Sequence, residues 1–377
     1  MKHKFLSLFL SAALSAGFLC GCKGSSASDT GIVGDTLTSE ARLLTLVDCG
    51  GYLVADVKNP WDSTKLLQRY VLLPDSAGLP ENLPDGVLVR VPLKRSLVYS
   101  GVHAGAVKEL GAIAAVSGVA EGAYFTMPEI REGLDRGSIV DVGSSMSPDV
   151  EKVTELNPDA ILASPYQNSS YGVVESLGLP IIECADYMEA TPLARAEWIR
   201  LLGALYGHEA EADSIWRKVS DDYRALASRA SEAASHPKVI TERVMNGVWF
   251  VPGGRSYMSR LITDAGGVNP WAGTQDSGSV QLDFSSVFDK ACDADIWLIR
   301  NYGPGLTLSE LKSSYELNSR MDAFKSGEVY VADTSTSTLF EDFPFHPEKL
   351  LREYILLFLG PDYAGTDTTR YYKRIEP

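Results

Sequence analysis

TPLARAEWIRLLGALYGHEAEADSIWRKVSDDYRALASRASEAA (residues 191–234) reads as helix almost from end to end. Thr191 is an N-cap residue, and Pro192 takes the first helical position, where a missing N–H costs nothing. Leu193, Ala196, Ile199, Leu202 and Leu205 recur at threefold and fourfold spacing, so they share one face. Gly207 interrupts, and a second amphipathic run follows: Ala212, Ile215, Trp216, Val219, Tyr223, Leu226 and Ala230. The pattern holds to about Ala234, just ahead of His236-Pro237. From His208 to Ala234 such a helix is roughly 40 Å long at the standard rise. That exceeds the diameter of a lobe of roughly 100 residues, so the segment 188–236 is expected to bridge two lobes.

The flanks support two lobes. On the N-terminal side, residues 95–187 alternate short apolar runs with helical patterns: RSLVYS (95–100), IAAVSGV (113–119), IVDVG (139–143), AILAS (160–164) and PIIECA (180–185). Between them lie helices expected at His103–Leu110, Pro128–Arg136, Pro148–Leu156 and Asn168–Leu177, several closed by glycine. Strands alternating with helices imply a parallel sheet with crossover helices on its faces, a three-layer α/β lobe. Residues 237–377 repeat the grammar less regularly. Lys238–Arg243 and Val248–Val251 flank Asn246-Gly247, a type I′ hairpin pair. IWLI (296–299) is a buried strand candidate, and Pro347–Leu359 a final amphipathic helix. Residues 43–94 differ, being strand-like and proline-rich, and form a β-rich N-terminal extension with no function legible in them.

The N-terminus reads as an address. MKHK is basic and Phe5–Cys20 is apolar for 16 residues, too short to span a bilayer and right for a secretory leader. Leu19-Cys20-Gly21-Cys22 resembles a bacterial lipobox, which implies cleavage after residue 21, lipidation of Cys22 and a bacterial envelope location, periplasmic and membrane-anchored. Residues 22–42, rich in Ser, Gly, Thr and Asp, then serve as a flexible tether. Cys49, Cys184 and Cys292 remain beyond it, an odd number without a CxxC, so neither a complete disulfide framework nor a zinc site is expected.

Composition excludes other classes. Of 377 residues, 49 are Asp or Glu against 34 Lys or Arg, a formal charge of −15. Nucleic-acid binding needs a basic footprint, which this chain lacks. Neither a P-loop, HExxH, GxSxG nor GxGxxG motif occurs beyond the leader. An enzyme of the cell envelope remains the rival from another class, since fold alone does not fix function.

The order of elements resembles the class III periplasmic substrate-binding proteins of ABC importers, which carry cobalamin, iron-siderophores or haem. The resemblance rests on VDVGSSMSPDVEKVTELNPDAILAS (140–164), ESLGLPIIE (175–183), YMEATPLARAEWIRLLGALYG (187–207), VWFVPGGRSYMSRLITDAGGVN (248–269) and ADIWLI (294–299). It implies two rigid lobes joined by one long helix, a metal-chelate cargo held between them, permease subunits as partners, a monomeric chain and no resident cofactor or metal. It also implies a docking carboxylate on each lobe. Glu151 matches the first position. The second falls near Phe284-Ser285-Ser286, where no Glu stands, leaving Asp283 or Asp289 as substitutes.

Ligand-facing residues of an open α/β lobe lie on loops at the carboxyl ends of its strands. That rule selects Tyr99, Ser100 and His103, then Tyr124, the pair Ser144-Ser145, Tyr166 and Gln167, on the first lobe. On the second it selects Trp249, Arg255 and Tyr257, then Trp271, Arg300, Asn301 and Tyr302. Aromatic rings offer contact area, and a few polar groups orient a flat macrocycle or chelate. Arg300 suits an anionic siderophore or merely a neighbouring acid. His103 is either a metal ligand, as in a haem carrier, or a capping group at a helix start.

Overall fold

The computed structural model describes residues 32–62, 64–168, 170–303 and 305–377. The leader and Cys22 lie outside the described residues. No helix among the described residues is long and apolar enough to cross a membrane.

The first lobe is built on a five-stranded parallel sheet in the order Ile181–Glu183, Ala160–Ala163, Ser96–Val98, Val116–Val119, Val140–Asp141. Its central strands are buried throughout, as expected of strands covered on both faces. The helices expected from His103 and Pro148 begin instead at Gly101 and Val150, each behind a polar cap, and Pro148 lies in a short strand. Ser100 caps Gly101–Glu109 by accepting from the Val102 N–H, and Asp149 caps Val150–Leu156 by accepting from Glu151 and Lys152. The helix expected at Asn168–Leu177 is instead a 3₁₀ segment, Gly172–Leu177. The N–H groups of Tyr171 and Gly172 donate to the side chains of Glu175 and Ser170, which replaces a regular first turn.

The second lobe combines two sheets. Val239–Thr241, Ile296–Asn301 and Val329–Asp333 are parallel, and Tyr372–Arg374 closes the edge antiparallel. A separate antiparallel sheet joins Val244–Met245, Val248–Pro252 and Ser279–Leu282. Its hairpin turns at Asn246 and Gly247, both at positive φ (52° and 81°), as a type I′ turn requires.

The bridging element is Glu209–Ala230, 22 residues and so about 33 Å. Its buried stripe includes Trp216, Val219, Tyr223 and Leu226, as the periodicity implied. It is shorter than the expected run because the chain leaves helix after Ser231. The preceding stretch is not one helix either. It divides into Pro192–Ala196 and Ile199–Tyr206, separated by a 3₁₀ turn at Glu197 and Trp198. Gly203 lets the second piece meet the bridge closely, since a Cβ there would lie 2.4 Å from the Ala212 methyl.

Residues 35–42, grouped above with the tether, are held by the fold. Asp35–Thr36 pairs with Leu44–Asp48, the second strand of a five-stranded extension sheet that continues through Leu53–Lys58, Leu66–Pro74 and Val87–Val91. The fully buried Glu197 carboxylate accepts from the N–H groups of Ser39, Glu40 and Ala41 at 2.7–3.0 Å. Glu189, also buried, accepts from Arg42, Leu43 and the Trp198 indole. The turn at Glu197–Trp198 is thus where the inter-lobe connection grips the extension. Tyr70 ties the same sheet to the first lobe, donating to the Ile181 carbonyl and accepting from the Glu183 N–H.

Candidate ligand cleft

Two cavities open at the carboxyl ends of the parallel strands. The first-lobe cavity, about 180 Å³, is lined by Tyr99, Ser100, Glu121, Ser145, Met146, Ser164, Tyr166, Ser170 and Tyr171. The second-lobe cavity, about 290 Å³, includes Tyr187, Met188, Thr241, Glu242, Phe250, Tyr257 and Arg300 in its wall. Tyr187 joins them: it lines the second cavity while its hydroxyl donates to the carbonyl of Pro165, the neighbour of Tyr166. A larger cavity of about 400 Å³ lies beside Gly303, Asp333 and the Tyr372–Arg374 strand. There Arg370 and Arg374 are already engaged by Asp342 and Glu328.

A buried ionic network underlies the junction. His103 Nε2 lies 2.9 Å from Asp186 Oδ1, and Arg195 Nε lies 3.0 Å from the other carboxylate oxygen. Burial pushes the Asp186 carboxyl upward, but His103 and Arg195 on its two sides outweigh that and hold it below the usual range. Arg195 then extends over the Tyr257 ring at 5.0 Å and lies 5.7 Å from Phe343. The network therefore runs from the first-lobe helix that starts beside Ser100 to an aromatic of the second cavity.

Of the residues selected from the sequence, Tyr99, Ser100, Ser145 and Tyr166 line the first cavity, and Tyr257 and Arg300 the second. Burial pushes the Tyr99 hydroxyl up to about 12. Arg300 is paired with Glu242; burial opposes its charge, yet the neighbouring carboxylate raises its pKa above the ordinary value.

Others lie elsewhere. His103 is only 2% exposed and bound to Asp186, so it neither caps its helix, which Ser100 does, nor reaches a ligand. Trp249 is fully buried, stacked on Trp297 at 5.5 Å with its indole N–H donating to the Thr241 carbonyl. Trp271 is likewise core. Trp249 faces the core because it lies on the inward face of the strand Val248–Pro252, and Trp271 enters the same core from a turn. Tyr124, Gln167, Arg255 and Tyr302 are exposed, and Asn301 is held by Arg243 and the Gly303 carbonyl; none lines either cavity.

Glu121, Tyr171, Tyr187 and Glu242 were missed. Glu121 and Glu242 stand immediately past the strand ends, at the second and first positions beyond Val119 and Thr241. The strand-end rule would have found both had it admitted acids. Tyr171 and Tyr187 needed the fold, since they enter from loops flanking the edge strand Ile181–Glu183.

Both glutamates adopt left-handed backbone, Glu121 at φ 55° and Glu242 at φ 62°. Non-glycine residues hold that conformation at a cost, and such outliers gather at ligand sites. On the outer faces, Glu151 is exposed in the first turn of its helix. Asp283 is the N-cap of Phe284–Ala291, accepting from Ser286 N and Ser285 Oγ, which lowers its pKa. Asp289 is exposed in that same helix.

A family model described as periplasmic binding protein matches residues 99–336. The chain belongs to the periplasmic binding protein family. Among relatives of this binding protein is an uncharacterized lipoprotein of Methanocaldococcus jannaschii, 28% identical over 263 residues, a span covering 66% of this chain and 62% of that one, a little under two thirds. A periplasmic heme binding protein from Pseudomonas aeruginosa superposes with TM-score 0.57 at 16% identity, covering 76% of this chain and 99% of the other. An ABC-type Fe3+-hydroxamate transport system structure from Saccharomonospora viridis gives 0.55 at 15%, covering 73% and 94%. At such identities these structures share the fold: two α/β lobes, here with the β extension in front.

Proposed function

We propose that this binding protein is the lipid-anchored capture component of an ABC importer, taking a metal chelate such as a ferric siderophore or cobalamin between its lobes and passing it to a permease. The observation that carries the reading is the pair of aromatic, polar cavities at facing strand ends, joined through Tyr187. Such a cleft suits a ligand too large for either cavity alone. The anchor would be Cys22, with residues 23–34 as the remaining tether. Glu151 is the proposed permease contact on the first lobe. On the second, Asp289 is the better candidate, since the Asp283 carboxylate is occupied by its cap. No catalytic step is assigned.

Titration calorimetry of the purified chain with cyanocobalamin, hemin and a ferric trihydroxamate tests the cargo class. Saturable heat with at least one of them is expected, and none with any of the three would contradict it. Tryptophan emission is the poorer reporter, because Trp249 and Trp271 are core residues.

A second reading, a haem carrier, draws on one feature. The Tyr99 hydroxyl is buried with no hydrogen-bond partner at the first cavity. A phenolate there would be an axial ligand, whereas His103 is sealed beneath the cleft. A Soret band on adding hemin, lost in Tyr99→Phe and kept in His103→Gln, is its expected signature.

A further inference from the structure

The two cavities carry glutamates at equivalent places, each just past a parallel strand and each in left-handed backbone. Glu242 is committed to Arg300. Among the described residues the Glu121 carboxylate has no ion pair, and its one hydrogen bond is a long contact of 3.4 Å from the Ser145 hydroxyl. Among the described residues it is the only charged side chain lining the first cavity, with no Lys, Arg or His beside it.

The remaining wall is hydroxyls and tyrosine rings. Tyr99 contributes a hydroxyl that is buried and unpartnered. The Tyr171 hydroxyl is spent on Glu183, so that residue offers the cavity a ring rather than a donor. A lone carboxylate among aromatic rings is the chemistry that recognises an ammonium group, by charge-assisted hydrogen bonding and cation–π attraction. The formal charge of −15 favours a cation at long range as well. The chain also tolerates a strained backbone to place a carboxylate there, although glycine would hold the same φ without strain.

We infer that the first-lobe cavity receives a cationic amine carried by the cargo, with Glu121 as its specificity-determining residue. The inference rests on the chelate reading above and narrows it: the amine end faces the first lobe, while Arg300 and Glu242 meet the rest of the ligand on the second.

The probes are ferrioxamine B, a ferric trihydroxamate with a free primary amine, and its N-acetylated form, which lacks that charge. Both are titrated calorimetrically at pH 7 into the full chain, its Glu121→Gln variant and its Glu121→Gly variant. Ferrioxamine B is expected to bind about tenfold more tightly than the acetylated chelate to the unaltered chain. In Glu121→Gln that ratio should collapse towards one through weaker binding of the amine form alone. Glu121→Gly should lose the preference with a thermal midpoint no lower than that of the parent, which separates recognition from folding. Equal affinities in the parent chain, or a preference that survives in Glu121→Gln, would overturn this inference and leave the chelate reading intact. Failure of the parent to bind either form would overturn this inference, while the chelate reading would still be decided by the titrations with cyanocobalamin and hemin.

Discussion

The two halves of the cleft each place a glutamate in left-handed backbone just past a parallel strand, and they differ in how they treat its charge. In the second lobe Glu242 and Arg300 neutralise one another, and Arg300 sits amid aromatic hydroxyls. In the first lobe Glu121 stands alone among serines and tyrosines. One glutamate holds up a structure; its counterpart is left for whatever enters. The contrast shows that position in an α/β lobe fixes where a side chain points, while its neighbours determine whether it is a strut or a recognition group.

The strongest way to break this comparison is to remove what both halves share. Asp186 holds His103 and Arg195, and its loss leaves an arginine buried without its carboxylate. Asp186→Ala is expected to cost about 3 kcal/mol in urea-denaturation measurements. A loss within experimental error of zero would mean the network is ornamental. Next in size, Glu242→Ala should destabilise by about 2 kcal/mol, the range for breaking a half-buried ion pair lowered for its partial exposure. Glu242 and Arg300 could be restored together by an apolar pair, and recovery of stability in Glu242→Leu/Arg300→Met would confirm that the penalty is an orphaned charge.

A pH measurement sharpens the comparison by testing what keeps the two halves in register. His346, at the start of the Pro347–Leu359 helix, contacts Glu109 of the first lobe at 2.6 Å and Glu348 at 2.9 Å. Burial alone would lower its pKa, but the two glutamates outweigh burial and raise it to about 9. The unfolded value is near 6.5. The folded form therefore binds the proton more tightly, so this stabilisation is complete below about pH 6.5 and is lost as pH rises through about 9. Thermal midpoints should fall across that window in the parent and fall less in His346→Gln; parallel curves would contradict the linkage. The smallest effect is expected at Glu121 itself. Glu121→Ala should change stability by less than about 0.5 kcal/mol, because an exposed, unpaired carboxylate supports nothing. A large loss would mean that it is a strut after all.

Much of this architecture was legible because the signals were local. Thr191 caps Pro192–Ala196 by accepting from the Ala194 N–H, as read from the sequence, whereas the helices expected from His103 and Pro148 start at Gly101 and Val150, behind Ser100 and Asp149. The stripe through Trp216, Tyr223 and Leu226 gave the bridge. The extension's hold on the inter-lobe turn was hidden, since Glu189 and Glu197 look like ordinary helix-start acids until residues 39–43 fold against them. In the cleft, the strand-end rule located the right loops but not the inward face. It selected Trp249 and Trp271, whose size and apolarity sent them into the core, and passed over Glu121 and Glu242, whose role depends on tertiary neighbours. His103 was hard to read for the same reason: its partner Asp186, itself held by Arg195, lies far along the chain.

The central claim is that one cargo is held by both lobes at once. Calorimetric titration of the parent, Tyr99→Ala and Tyr257→Ala with cyanocobalamin, hemin and a ferric trihydroxamate tests it most directly. The account predicts one-to-one binding of at least one chelate, weakened about tenfold by either substitution, as expected for loss of a buried aromatic contact on each side. Binding that neither substitution affects, or that only one lobe's substitution affects, would contradict it.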